Sequence, residues 1–144
     1  DFKKSTIDPT LVTKQVDPPE LRWAYYQKAL EYVFCLFDQG IPTVILDEVF
    51  HLHSLRTQLE VLCTKQQVQV QWIEVRCSYD VVERRLRLTK RDGHILSTEE
   101  ALKMHLLFQE IFEGFSPESQ NHIVVNNDDG VNADLLVENV LKKN

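Results

Sequence analysis

The sequence predicts an α/β fold: a parallel sheet sandwiched between helices in three layers. Two observations predict it. Helical and strand-like stretches alternate along the chain, and the strand-like stretches "TVILD" (43–47), "VQVQWIEVRC" (68–77) and "HIVVN" (122–126) are largely apolar on both faces. A strand covered on both faces belongs in the middle layer, with helical crossovers as its covers.

The elements follow in order. Residues 1–18 are polar and carry Pro9 and Pro18, the composition of a loop. Pro19 suits a first helical turn. Leu21, Ala24, Tyr25, Ala29, Tyr32, Val33, Leu36 and Phe37 then recur at helical spacing until Gly40, which reads as a stop. "TVILD" is rich in branched side chains and does not alternate, so it is expected as a strand buried on both sides. Leu55, Leu59 and Leu62 restore helical spacing over 53–66, and 68–77 is the second strand. Residues 79–91 place Val81, Val82, Leu86 and Leu88 among five basic residues, a basic helix. Ser97 and Glu100 have the spacing of a capping box that opens the helix "EEALKMHLLFQEIF". "HIVVN" is the third strand, and 131–143 a last amphipathic helix.

No repeat, low-complexity segment or Gly/Ser linker divides the 144 residues, so residues 1–144 are expected as one domain. The hydrophobic fraction of 43% and charged fraction of 26% suit a soluble globular protein. A net charge of −6 disfavours a grip on duplex nucleic acid, which needs surplus Lys and Arg facing the phosphates. Cys35, Cys63 and Cys77 are odd in number and widely spaced among apolar neighbours. They read as reduced core residues of a cytoplasmic protein. No apolar stretch approaches bilayer length, so no membrane partner is expected.

In parallel sheets ligands bind beyond the carboxyl ends of the strands. That edge here carries Asp47 and Glu48, Cys77 to Asp80, and Asn126 to Asp128. An acid delivered by a buried strand can hold a hydrated Mg²⁺ or orient a hydroxyl, or it can simply be where the strand meets water. Arg84, Arg85, Arg87, Lys90 and Arg91 cluster before Asp92-Gly93. Arginines in such a segment can neutralise charge developing on a transferred phosphoryl group, or form a solvated helix face. His51 and His53 could be half a metal site, but no second pair supports them. The Gly-rich loop ending in Gly-Lys-Ser/Thr, which cradles phosphates with backbone N–H groups, is not in the sequence.

"GIPTVILDEVFHLHSLRTQL", "VQWIEVRCSYDVVERRLRLTKRDG" and "HIVVN" in this order resemble small P-loop kinases of the adenylate-kinase-like group. Closest in pattern are the zeta-toxin-like and polynucleotide-kinase-like ATP-dependent phosphotransferases. Asp47, Phe50 and Arg56 stand where that group has an acid, an aromatic or Asn, and a helix-borne arginine; Glu48 and Val49 replace two small residues. Arg85-Leu86 matches the start of the group's lid motif. Thr89 stands where the second arginine is expected, leaving that role to Lys90 or Arg91.

The resemblance implies a P-loop NTPase-like sandwich that uses ATP and Mg²⁺ and phosphorylates a small molecule or nucleotide. It implies Mg²⁺ near Asp47, Asp1 of "DFKK" as base or substrate ligand, and Arg56 toward substrate. Arg85 and Arg91 would act on the phosphoryl group, with Asn126, Asn127 and Arg91 on the nucleotide side, and the adenine-side loop would be Asn126, Asn127 and Asp128 by position. The family's first strand, phosphate loop and first helix are then expected upstream of Asp1, and the 144 residues alone are expected to be inactive. Two other readings stay open: a degenerate kinase-like domain that only binds, and a fragment of a motor-type ATPase in which Glu48 polarises water. The acceptor is not legible, and Trp23, Tyr25 and Tyr26 could stack on a base or fill the core.

Overall fold

The computed structural model describes residues 17–89, 96–117 and 119–128. Its elements are α1 (Pro19–Asp38), α2 (His53–Lys65), β1 (Trp72–Arg76), α3 (Tyr79–Leu88), α4 (Thr98–Ile111) and β2 (His122–Asn126). The predicted helix at 131–143 lies outside the described residues, as does the end of the basic helix beyond Thr89. The chain is α/β, with one parallel pair of strands among the described residues. None of the described helices is long and apolar enough to cross a membrane.

The chain divides into two compact units. Described residues 17–69 and 112–114 belong to the first, and those within 70–111 and 115–128 to the second. In the first unit, Pro19 opens α1 where its missing N–H costs no hydrogen bond. The helix ends in a Schellman motif: the Gly40 N–H donates to the Phe37 carbonyl and the Ile41 N–H to the Leu36 carbonyl. That turn requires a left-handed residue, and Gly40 has φ +85°. The same motif closes α2, with Gln67 N–H on Thr64 and Val68 N–H on Cys63, but its left-handed residue is Gln67, at φ +57°.

The helices pack through Tyr26, Leu30 and Val33 of α1 and Leu55, Leu59 and Cys63 of α2, all buried. Burial of each large apolar side chain contributes about 1.5–3 kcal/mol. The buried stripe of α1 also contains Arg22, while Leu21 and Tyr32, expected inside from their spacing, are exposed. Cys35, expected in the core, is exposed as well; all three cysteines are free thiols.

The strand expected at 43–47 does not form. Residues 41–47 have no regular secondary structure, and Ile45 is 81% exposed. An apolar, branched run favours extended backbone, but a strand also needs a partner ladder for its N–H and C=O groups, and no strand pairs with 43–47 among the described residues.

In the second unit, β1 and β2 pair in parallel, from Trp72 opposite His122 to Arg76 opposite Asn126. Trp72 is buried with its ring 5.9 Å from that of Phe115, and Phe115 stacks on His122 at 3.9 Å. Glu74 accepts from Arg76 Nε at 2.6 Å and meets His122 Nε2 at 3.0 Å, tying the strands together by side chains as well. Helices α3 and α4 pack on each other, with Val81 and Leu102 as their buried residues. The capping box expected at α4 is formed. The Ser97 N–H donates to Glu100 Oε2 at 2.8 Å, and the Glu100 N–H donates to Ser97 Oγ at 3.3 Å.

Candidate functional site

Parallel pairing puts the loops that follow β1 and β2 side by side. The Asn127 N–H extends the ladder to the Arg76 carbonyl at 2.7 Å, and the Cys77 thiol donates to the Asn127 carbonyl at 3.4 Å. Asp128 Oδ1 accepts from the Ser78 N–H at 2.7 Å, and the Asp128 N–H is held by Asn126 Oδ1. Ser78 is the residue before α3, so a carboxylate sits at the positive end of that helix. The hydrogen bonds from Ser78 hold the Asp128 carboxyl below its usual range.

One and a half turns into α3, Arg85 reaches back so that its Nη1 lies 3.9 Å from Cys77 Sγ. Burial and the Asp128 carboxylate push the Cys77 thiol up, against the opposing pull of Arg85 and Arg84. The upward shift favours the thiol form of Cys77 over the thiolate. This edge brings together Arg85, Asn126 and Asn127 of the residues singled out from the sequence. It also brings in Asp128, which the resemblance placed with Asn126 and Asn127 in the adenine-side loop.

Asp47, Glu48 and Arg56 lie in the first unit. Asp47 is exposed. Glu48 Oε1 accepts from Arg22 Nη1 at 3.0 Å and from the Val49 N–H at 2.9 Å, and Asp17 lies 3.7 Å from Arg22 Nη2. Phe50 has φ +46°, left-handed backbone that costs a non-glycine residue about 1–2 kcal/mol. Its ring lies 4.9 Å from that of Tyr26. Arg56, 2% exposed, donates to the carbonyls of Phe50 (2.7 Å), Glu113 (2.6 Å) and Gly114 (3.2 Å), with the Phe112 ring 5.4 Å from its guanidinium carbon. The Glu113 N–H donates to the His51 carbonyl at 2.9 Å, and Glu113 Oε2 accepts from the His53 N–H at 2.5 Å.

Arg56 is thus embedded in backbone, and these donors are not turned toward an open cleft. His51 is buried; its burial and the Arg22 charge lower its pKa, with Glu113 and Glu48 opposing. The Tyr26 hydroxyl is raised by burial and by Glu48. Reading the sequence did not find the buried role of Arg22, although its place one turn before Tyr26 and two before Leu30 was a usable signal. Glu113 left none, being sixty residues from its partner His53.

Asp1 and Arg91 lie outside the described residues. No group of three His, Cys, Asp or Glu side chains that could hold a metal ion exists among the described residues. Mg²⁺ ordinarily keeps several waters and takes only one or two carboxylates together with substrate phosphates, and the solvent-open oxygens of Asp47 fit that mode rather than a protein cage. No protein-family model, curated protein or solved structure matches the chain.

Proposed function

We propose that the chain is the body of an ATP-dependent phosphotransferase that acts on a hydroxyl of a small molecule or nucleotide. The observation that supports this reading best is the shared carboxyl edge of β1 and β2. Parallel pairing there gathers Asn126, Asn127 and Asp128 against Cys77 and Ser78, with Arg85 folded back over the strand end. Such edges are where parallel sheets take ligands.

On this reading Asn126 and Asn127 offer amide groups to the nucleotide, and Arg85 and Arg91 stabilise charge on the phosphoryl oxygens in flight. Asp1 takes the proton of the acceptor hydroxyl as its oxygen bonds to phosphorus and the bond to the leaving diphosphate breaks. Asp47 would be the carboxylate that holds a Mg²⁺ ion, which would supply neutralisation of phosphate charge. Arg56 acts as scaffold, since its donors are directed at backbone carbonyls.

A domain that binds nucleotide without catalysis is the rival. The lack of a Gly-Lys-Ser/Thr phosphate loop in the 144 residues favours it. Titration calorimetry of ATP into the full-length gene product tests both, with and without Mg²⁺. The phosphotransferase reading expects binding that weakens at least tenfold in Arg85→Ala, loses its Mg²⁺ dependence in Asp47→Asn, and accompanies transfer to a hydroxyl acceptor. Binding that ignores Asp47 favours the rival, and no ATP binding at millimolar concentration removes both. The 144 residues alone are expected to transfer no phosphoryl group, because they contain no Gly-Lys-Ser/Thr phosphate loop, and turnover by them would contradict the reading.

A further inference from the structure

We infer that Arg22 and Arg56 are positioning residues that clamp the turn between Asp47 and His53 from both sides and hold it in one strained conformation. The turn has no secondary structure of its own before His53. What fixes it are two guanidinium groups, each almost fully buried, at 3% and 2% exposure. Arg22, from α1, holds the Glu48 carboxylate, which in turn takes the Val49 N–H. Arg56, from α2, holds the Phe50 carbonyl and, through Glu113 and Gly114, the strip of chain that lies against the turn.

Between the two clamped points sits Phe50, the left-handed residue. A bulky residue keeps positive φ only where its surroundings over-determine it, and here they do so on both sides: by the Arg56 bond to its carbonyl and by the Tyr26 ring against its own. A single clamp would leave the turn free to relax about the other end. Two clamps leave it one backbone path, and that path sets the direction of Asp47, one residue before the Glu48 anchor. Arginine suits the task because its planar fork serves several acceptors at once, which the ammonium of lysine does not.

The clamp stands on the geometry of the first unit alone. Only its use, presenting Asp47 to a cation and nucleotide, rests on the phosphotransferase reading. Residue-resolved amide hydrogen exchange by NMR tests it without any ligand. The informative amides are His53 and Glu113, whose acceptors are the Glu113 side chain and the His51 carbonyl, so that neither bonds Glu48 directly.

In Glu48→Ala and in Arg22→Lys, exchange at both amides is expected to speed up at least tenfold more than in the middles of α1 and α2. Glu48→Gln, which keeps an acceptor oxygen, should restore most of the protection. Turn and helix amides losing protection by the same factor would make the pair a general stabiliser and overturn the clamp, as would unchanged exchange in Glu48→Ala. If the exchange result holds while Asp47→Asn leaves ATP binding untouched, the clamp stands and the phosphotransferase reading fails.

Discussion

Arg22 and Glu48 stand 26 residues apart in sequence, and the guanidinium of the first donates to the carboxylate of the second across 3.0 Å. The arginine side chain is 4% exposed and the glutamate 21%, so the pair is shielded on one side and wetted on the other. Removing the glutamate takes a close carboxylate from a buried cation that Asp17 also approaches, at 3.7 Å. Glu48→Ala is expected to destabilise the first unit by about 2–4 kcal/mol. The urea midpoint of Trp23 fluorescence in a Trp72→Phe background, at unchanged m-value, would measure it.

Leu30 is the fully buried side chain where α1 meets α2. Leu30→Ala should cost about 2–5 kcal/mol, the range depending on how far the cavity collapses. The same urea assay reports it, and a loss below about 1 kcal/mol would show that the helices do not pack as described.

Gln67 offers the opposite sign. It occupies the left-handed position of the Schellman motif that closes α2, at φ +57°. Gln67→Gly relieves the Cβ clash there while making the unfolded chain more flexible, for a net gain of about 0.5–1 kcal/mol. A rise in thermal midpoint would confirm it. At Gly40, where φ is +85°, substitution by Ala should lower the midpoint instead.

Glu74 couples the sheet to pH. Burial raises its pKa, but the hydrogen bonds and charges of Arg76 and His122 outweigh that and bring it below the usual value of 4.5. A carboxyl with a depressed folded-state pKa contributes stability that is present above about pH 4.5 and is lost as pH falls through the folded value. Urea midpoints of wild type and Glu74→Gln should therefore differ most at neutral pH and converge in acid. A gap that persists unchanged to pH 3 would contradict the assignment.

His51 acts in a window nearer neutrality. Its pKa is lowered from 6.5, so the folded state resists a proton that the unfolded chain accepts. Stability should begin to fall as pH drops below about 6.5, and His51→Gln should flatten that slope. Midpoints at pH 7.5, 6.5 and 5.5 decide it.

These cases show where the sequence was legible. The Pro19 start and the Ser97–Glu100 capping box depend on residues close in sequence, and the parallel pairing follows from the order of strands and helices along the chain; all three are present. "TVILD" misled because a run of branched apolar residues specifies extended backbone but not the neighbour that makes a strand of it. Arg56 was placed toward substrate by the family resemblance, through its position in a short motif. Its acceptors at Glu113 and Gly114 come from 57 and 58 residues away, and nothing in its own neighbourhood announces them. The carboxyl edge was legible in outline through topology, but the bond from Ser78 to Asp128 spans 50 residues and needed coordinates.

The strip Phe112–Gly114 belongs to the first unit although the rest of that unit ends at Gln69. During synthesis the α1–α2 pair therefore leaves the ribosome well before the carbonyls that Arg56 needs. Until Gly114 has cleared the exit tunnel, a guanidinium destined for burial has only the Phe50 carbonyl of its three backbone acceptors. The nascent first unit is then incomplete in polar terms even with its apolar residues already made. Arrested chains long enough to bring residue 69, but not Gly114, out of the tunnel should be digested by protease at the 47–53 turn, and chains long enough to expose Gly114 should resist.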